Sequence, residues 1–346
     1  MGKYFGTDGV RGVAGADLTC EMAMLIGRGA AAVLTSSTGH KPRILIGKDT
    51  RQSGDMLEAA LTAGLCSVGA DVESLGVVPT PAVAYLVRKY NADAGVVISA
   101  SHNPMEFNGI KIFAGTGYKL PDEVENKIEA YIDNQCAGLK LATGDDVGRV
   151  TCRTDGIKDY TDHLYESING DLSGLNVCID CANGASAAAA RQLFPRLGAK
   201  CTFIGVEPDG KNINAGVGST HLDNLEKAVV EGGFDCGIAF DGDADRCLAC
   251  DEKGQEIDGD KIIALLAMNM KERGCLDGNT AVVTVMSNLG FIKFMESQGI
   301  RTEKTAVGDR YVLENMRENG YAIGGEQSGH VILLHHTTTG DGELTA

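Results

Sequence analysis

Short apolar runs alternate with helical stripes along most of this 346-residue chain. Arg43-Ile44-Leu45-Ile46-Gly47 predicts a buried strand. Ser53 then predicts a helix cap, and Leu57, Leu61, Leu65 and Val68 recur at helical spacing on one face. Residues 72–78 predict another strand, Val83, Leu86 and Val87 another helix, and Ala94-Gly95-Val96-Val97-Ile98 a third strand. This alternation implies right-handed crossovers and mainly parallel sheets with helices on both faces. The pattern restarts at Leu175–Asp180 and again at Thr280–Val285, after a helix over Asp258–Lys271. The chain is also longer than the roughly 250–300 residues at which single cores stop growing. The expected fold class is α/β: successive three-layer α/β/α domains with mainly parallel mixed sheets, over residues 1–150, 151–252 and 253–346.

Composition narrows the function classes. Hydrophobic residues make up 43% and charged residues 23%, as in ordinary soluble proteins. No apolar run is long enough to span a bilayer, and the start lacks the apolar core of a signal peptide, so a cytoplasmic location is expected. A net charge of −16 argues against nucleic acid or an anionic membrane as partner. The 11 cysteines are an odd count without a framework, which predicts reduced thiols. Cys178-x-x-Cys181 and Cys247-x-x-Cys250 are separated by residues 182–246, too far for a zinc ribbon, and predict buried strand thiols.

The candidate chemistry lies in loops that follow strands. A strand ending at Phe240 delivers Asp241, Asp243 and Asp245 at alternate positions, a set that would repel itself without a cation. Hard oxygen donors without His or Cys favour Mg²⁺. Arg246 could aim a positive charge at a nearby phosphate. An EF-hand loop, an aspartyl nucleophile at Asp241 and a solvated acidic turn are the competing readings, although Arg246 occupies the place of the EF-hand glycine. A second loop, Ile98-Ser99-Ala100-Ser101-His102-Asn103-Pro104, puts hydroxyls at a strand's carboxyl end, with His102 available to orient or balance an oxyanion. Taken alone it is an ordinary polar turn. Its expected cationic neighbours are Lys111, Arg11 in the Gly-rich stretch Phe5–Gly12, and the segment Lys48-Asp49-Thr50-Arg51. A third loop, Gly324-Gly325-Glu326-Gln327-Ser328-Gly329-His330, offers a carboxylate, a hydroxyl and an imidazole on one turn, a set suited to sugar hydroxyls or an amine.

Taken in order, Phe5–Gly12, Gly47–Arg51, Ser99–Pro104, Asp241–Arg246 and Gly324–His330 resemble the motifs of the α-D-phosphohexomutases over essentially the whole chain. Phe-Gly-Thr-Asp-Gly at the start, Val307-Gly308-Asp309-Arg310-Tyr311-Val312 and the Gln327 loop resemble the glucosamine-phosphate branch; relatives acting on mannose or glucose phosphates tend to have Met at the place of Gln327. The resemblance implies an active-site cleft between domains and a phosphate carried by Ser101. One Mg²⁺ would be bound by Asp241, Asp243, Asp245 and the Ser101 phosphate. Arg11 and Lys111 would assist transfer and proton handling. Gly308, Asp309, Arg310 and Arg246 would lie beside the substrate, and Glu326, Ser328 and His330 would hold the sugar. The partner is then a small sugar phosphate, with glucosamine 1,6-bisphosphate as intermediate and activator, and a homodimer is the candidate assembly.

Two alternatives accompany this reading: a mutase for mannose or glucose phosphates, and a catalytically incomplete sugar-phosphate-binding protein. The second arises because the family continues into a fourth domain with an Arg-x-Ser-Gly-Thr-Glu-Pro loop, and that motif is not among these 346 residues. A fragment or shortened protein with little turnover is the corresponding expectation.

Overall fold

The computed structural model describes residues 2–34 and 39–346; Met1 and residues 35–38 lie outside the described residues. Two compact units form, one comprising residues up to Tyr160 with Pro208–Ile213, the other Thr161–Glu207 with Asn214–Ala346.

The first unit carries a seven-stranded sheet. Its strands are β1 (Phe5–Gly6), β2 (Gly9–Val13), β3 (Arg43–Lys48), β4 (Asp71–Val77), β5 (Ala94–Ile98), β6 (Phe107–Ala114) and β7 (Val150–Cys152), in the order β1-β2-β6-β5-β3-β4-β7. The strands from β5 through β3 and β4 to β7 are parallel, and those from β5 through β6 to β1 are antiparallel. Helices α1 (Cys20–Leu34) and α2 (Ser53–Ser67) bury Ile26, Leu57, Leu61 and Leu65 against Ile44, Ile46, Val96 and Ile98. Helix α3 (Thr80–Lys89) packs against β3, β5 and β6, and α4 (Asp122–Asp133) against α1. Leu57, Leu61 and Leu65 thus form the core-facing side of α2, whereas Val68 follows the helix at its cap position and is half-buried.

Ser53 does not cap α2. It is the first helical residue after the cap position Gln52, and its hydroxyl accepts a hydrogen bond from Asn108 Nδ2 at 2.9 Å. The Gln52 amide instead donates to the Gly210 carbonyl at 2.9 Å, so the helix start is held by a distant segment of the same unit. The sheet also runs past residue 150, because Val150–Cys152 pairs in parallel with β4.

The division between the units falls inside helix α5 (Gly156–Ser167). The second unit holds two sheets. One has the order β12-β11-β10-β8-β9, from β8 (Asn176–Asp180), β9 (Lys200–Ile204), β10 (Cys236–Phe240), β11 (Cys247–Asp251) and β12 (Glu256–Ile257). Helices α6 (Ala187–Arg196) and α7 (Asp223–Gly232) accompany it. This sheet continues past residue 252, since Ala249 and Cys250 pair with Ile257 and Glu256. The other sheet has the order β14-β13-β15-β16, from β13 (Thr280–Thr284), β14 (Arg301–Thr305), β15 (Ile323–Gly325) and β16 (Val331–Leu333). Its helices are α8 (Gly259–Glu272), α9 (Leu289–Ser297) and α10 (Asp309–Asn319), and α11 (Gly342–Thr345) follows β16. Ile263, Ala267, Phe291, Ile292 and Met295 pack on Ala281, Val283 and Ile323.

In all three sheets the chain winds outward on one side of a strand and then returns to its other side, between β3 and β5, β8 and β10, and β13 and β15. The carboxyl ends of such strand pairs splay apart and leave a crevice, the usual ligand position of open α/β sheets. Ser99–Asn103, Asp241–Asp245 and Glu326–His330 each follow one of these strands.

All eleven cysteines are free thiols. Cys178, Cys181, Cys247 and Cys250 are buried, and burial pushes Cys178 and Cys250 up to about 11 and Cys247 up to about 12. They stay protonated at neutral pH, which suits packing and opposes metal ligation. Among the described residues no helix is long and apolar enough to cross a membrane.

Candidate active site

Every residue of β5 is buried, and the strand delivers Ser99, Ala100 and Ser101 into the crevice beside the end of β3. Ser101 adopts φ +52°, a left-handed conformation that costs a non-glycine residue about 1–3 kcal/mol. A buried set of polar contacts holds it there. Ser99 Oγ donates to Asp49 Oδ2 at 2.5 Å and accepts from the Ser101 amide at 2.9 Å. Arg51 pairs with Asp49 and donates to the carbonyls of Ser101 at 3.1 Å and Asn103 at 2.5 Å. Ser101 Oγ lies 3.4 Å from His102 Nδ1. Asp49 and Arg51 therefore brace the loop, rather than supplying free charge to it. Lys48 is likewise engaged, with Asp55 at 2.5 Å and Glu58 at 2.6 Å.

The Gly-rich amino terminus forms the β1–β2 hairpin, whose turn carries Asp8. The Asp8 carboxylate gathers Lys111 Nζ at 2.9 Å, Lys119 Nζ at 2.6 Å and the Arg11 guanidinium. Burial alone would raise the Asp8 carboxyl, but Lys111, Lys119 and Arg11 together hold it well below the usual carboxylate range. The sequence pattern points to Arg11 and Lys111 and passes over Asp8 and Lys119. The one available signal is a carboxylate followed directly by a glycine in a cation-bearing loop.

In the second unit, β10 ends at Phe240, and Asp241, Asp243 and Asp245 follow it into the crevice. They are 0%, 0% and 5% exposed, which rules out a solvated acidic turn. One carboxylate oxygen from each lies within 4.8 Å of the others. A strand rather than a helix enters the loop and Arg246 stands at its sixth position, so it is no EF-hand. Three oxygens converging without His or Cys suit a hard divalent cation. The Arg246 amide donates to Asp241 Oδ1 at 3.3 Å, and its guanidinium lies 3.9 Å from Asp245. Burial works against the Arg246 charge, yet Asp241, Asp245, Asp243 and Glu326 outweigh it and hold the guanidinium more firmly protonated.

The third loop is the turn between β15 and β16. Glu326 Oε1 accepts from the Gly308 amide at 3.1 Å, fixing the start of α10. His330 is 4% exposed, with Nε2 3.6 Å from Asp309 Oδ2. Ser328 is exposed. Arg310 pairs with Glu314 at 3.1 Å along α10. Gln327 faces the start of α8, where Nε2 donates to Asp258 Oδ2 at 3.2 Å, so its visible role is to anchor the turn. Backbone links stitch this loop to the acidic one: Arg246 bridges His330, and the Cys247 amide donates to the Gly329 carbonyl at 3.0 Å. The chain entering α11 closes over both. The Gly342 amide donates to the Ala244 carbonyl at 2.9 Å, and Gly340 lies so near the His330 ring that a Cβ would sit 2.3 Å from Nε2. The fold thus brings Arg246, Glu326, Asp309 and His330 together with the acidic triplet in one unit, and Arg11 together with Lys111 in the other.

Known proteins match this chain along its length. The family model described as phosphoglucomutase/phosphomannomutase, alpha/beta/alpha domain I matches residues 2–137, domain II residues 158–254 and domain III residues 258–346. A phosphoglucosamine mutase of Acetivibrio thermocellus is 58% identical over 345 residues, covering 100% of this chain and 77% of that protein. A solved structure described as a putative phosphomannomutase from Thermus thermophilus superposes with a TM-score of 0.85 at 25% identity, covering 99% of this chain and 77% of the other. An N-acetylphosphoglucosamine mutase of Aspergillus fumigatus, solved in complex with GlcNAc-6P and magnesium, shares the fold at TM-score 0.59 and 17% identity, covering 95% of this chain and 67% of the other. With matches to three successive domain models and high identity over its whole length, the chain belongs to the phosphoglucomutase/phosphomannomutase family.

Proposed function

We propose that this chain works as a phosphoglucosamine mutase, an isomerase that interconverts glucosamine 6-phosphate and glucosamine 1-phosphate through a phosphoserine at Ser101. The observation that carries this reading is the 58% identity, over the entire chain, to the phosphoglucosamine mutase of Acetivibrio thermocellus. The domains proposed for it are residues 1–150 with the serine loop, 151–252 with the acidic loop and 253–346 with the sugar loop, with the first boundary moved past β7 and the second past β12, because those strands pair with the preceding sheets.

Phosphoryl transfer depends mainly on positioning and charge neutralisation. In the forward step a sugar hydroxyl oxygen bonds to the phosphorus of phosphoserine 101 while the Ser101 Oγ–P bond breaks. The hydroxyl loses its proton and Oγ regains one, with Lys111 and His330 the side chains assigned to proton handling and Arg11 to the phosphoryl oxygens. The product is glucosamine 1,6-bisphosphate. Its other phosphoryl group then returns to Ser101. Glu326, Ser328 and Asp309 are assigned to the sugar, with Gly308 beside it, and Arg246 and Arg310 to phosphate charge. Asp241, Asp243 and Asp245, with the Ser101 phosphate, would hold one Mg²⁺; three convergent buried carboxylates fit such an ion. When bound, it would supply positive charge to the phosphoryl oxygens.

The test is to incubate the protein with glucosamine 1,6-bisphosphate and Mg²⁺ and map the phosphate. One phosphate on the peptide bearing Ser101 is expected, and phosphate on Ser99 or on Asp241 instead would overturn the assignment. The Gly340 contact yields a second expectation. Gly340→Ala places a methyl group against the His330 ring, costs about 1–3 kcal/mol of stability by overpacking and slows transfer from Ser101 to glucosamine 6-phosphate by about 10²-fold, the usual cost of an ångström-scale misplacement. Melting curves and single-turnover rates measure the two effects.

A further inference from the structure

We propose that Asp8 is a positioning residue for phosphoryl transfer, because its carboxylate binds Arg11, Lys111 and Lys119 into one cluster beside the serine loop. This inference rests on Ser101 as the phosphate carrier.

Lys111 lies in β6 with only 1% of its surface exposed. A buried ammonium must be paired or it moves or gives up its charge. Asp8 Oδ2 provides such a pairing at 2.9 Å and binds the Arg11 guanidinium as well. The hairpin brings the carboxylate there by close contact. Gly9 adopts φ +81°, and a Cβ on it would lie 2.4 Å from the Ile110 carbonyl oxygen and 3.1 Å from Lys111 Cα. Only a glycine lets the turn press onto β6 at that point.

The cluster connects to the serine loop through β6. Arg11 pairs with Gly109, whose carbonyl accepts the Ser99 amide at 3.0 Å. A Cβ on Gly109 would sit 2.5 Å from the Ser99 carbonyl oxygen and 3.0 Å from Arg11 Cγ, so the arginine stem runs alongside the residue that braces Ser101. Lys119 binds the other oxygen, Asp8 Oδ1, at 2.6 Å and is itself placed by a backbone bridge to Phe113. Lys119 therefore acts through Asp8, fixing the plane of the carboxylate that orients Arg11 and Lys111.

Single-turnover phosphorylation of Ser101 by glucosamine 1,6-bisphosphate tests this. Asp8→Asn is expected to lower the rate at saturating donor by about 10²-fold, as displaced reacting groups do, while the half-saturating donor concentration stays nearly constant. Lys119→Met is expected to lower the rate by a smaller factor. The double variant should be no slower than Asp8→Asn alone, because residues acting through one another are not additive. If Asp8→Asn melts early, Asp8→Glu keeps the charge but moves it by a methylene, and it should slow the reaction in the same way. A natively folded Asp8→Asn or Asp8→Glu protein at the wild-type rate, or multiplicative losses in the double variant, overturns the role of Asp8 and leaves that of Ser101 intact. A wild-type protein that takes no phosphate at Ser101 overturns both.

Discussion

Ser101→Ala is expected to abolish phosphate incorporation from glucosamine 1,6-bisphosphate and to reduce mutase turnover by at least about 10⁴-fold, the scale seen when a covalent nucleophile is removed. The size follows from the proposed chemistry: in that cycle the Ser101 oxygen would be the atom to which phosphorus bonds, and no neighbouring side chain would substitute for it. Stability should change little. The left-handed backbone at residue 101 is held by Arg51 and Ser99 through main-chain groups, which alanine retains. Loss of the hydroxyl should cost about 1 kcal/mol. Intact-mass spectrometry and a melting curve measure both quantities. Full phosphorylation of the alanine variant would move the carrier elsewhere, with Ser99, bound to Asp49 at 2.5 Å, the nearest hydroxyl to test.

Removing one of the proposed acidic ligands should produce the second large effect. Asp243 is fully buried between two other carboxylates, and Arg246 is the neighbouring cation. At an effective dielectric near 20, two unit charges 4 Å apart interact by about 4 kcal/mol. Part of the attraction lost with the ion is returned as relief of repulsion between carboxylates. Asp243→Ala is therefore expected to weaken Mg²⁺ binding by about 10²-fold. The same relief should leave the metal-free melting temperature unchanged or slightly raised. Calorimetric titration with MgCl₂ and thermal melts without metal check the pair of outcomes. Wild-type affinity in the variant would show that Asp243 is not a ligand.

Much of the fold was legible because its strands are buried. Ala94–Ile98 and the end of β10 at Phe240 stand where the apolar runs place them, and Leu57, Leu61 and Leu65 line the core face of α2. The antiparallel halves of the sheets were not legible. A strand such as β6 has the same composition whether it runs with or against its neighbour, and only the turn chemistry of residues 99–106 distinguishes the two. Ser53 shows another limit: a capping residue is recognised by type, but here the hydroxyl is taken by Asn108, 55 positions away. The acidic triplet was legible because three carboxylates at alternate positions need a reason to be close. Asp8 and Gly340 were not. Their importance lies in contacts with Lys111, Lys119 and His330, which no local pattern encodes. Lys48 and Arg51 carry the opposite lesson. Cations that local sequence offers to a phosphate are engaged by Asp55, Glu58 and Asp49.

Isotope transfer from the serine is the most direct measurement. Protein carrying labelled phosphate on Ser101 is mixed with excess glucosamine 6-phosphate and Mg²⁺, and the label is followed through a single turnover. It should leave Ser101 faster with the sugar than without it and appear first in glucosamine 1,6-bisphosphate. Label that leaves at the same rate with or without the sugar, and appears only as inorganic phosphate, would contradict a mutase cycle through Ser101.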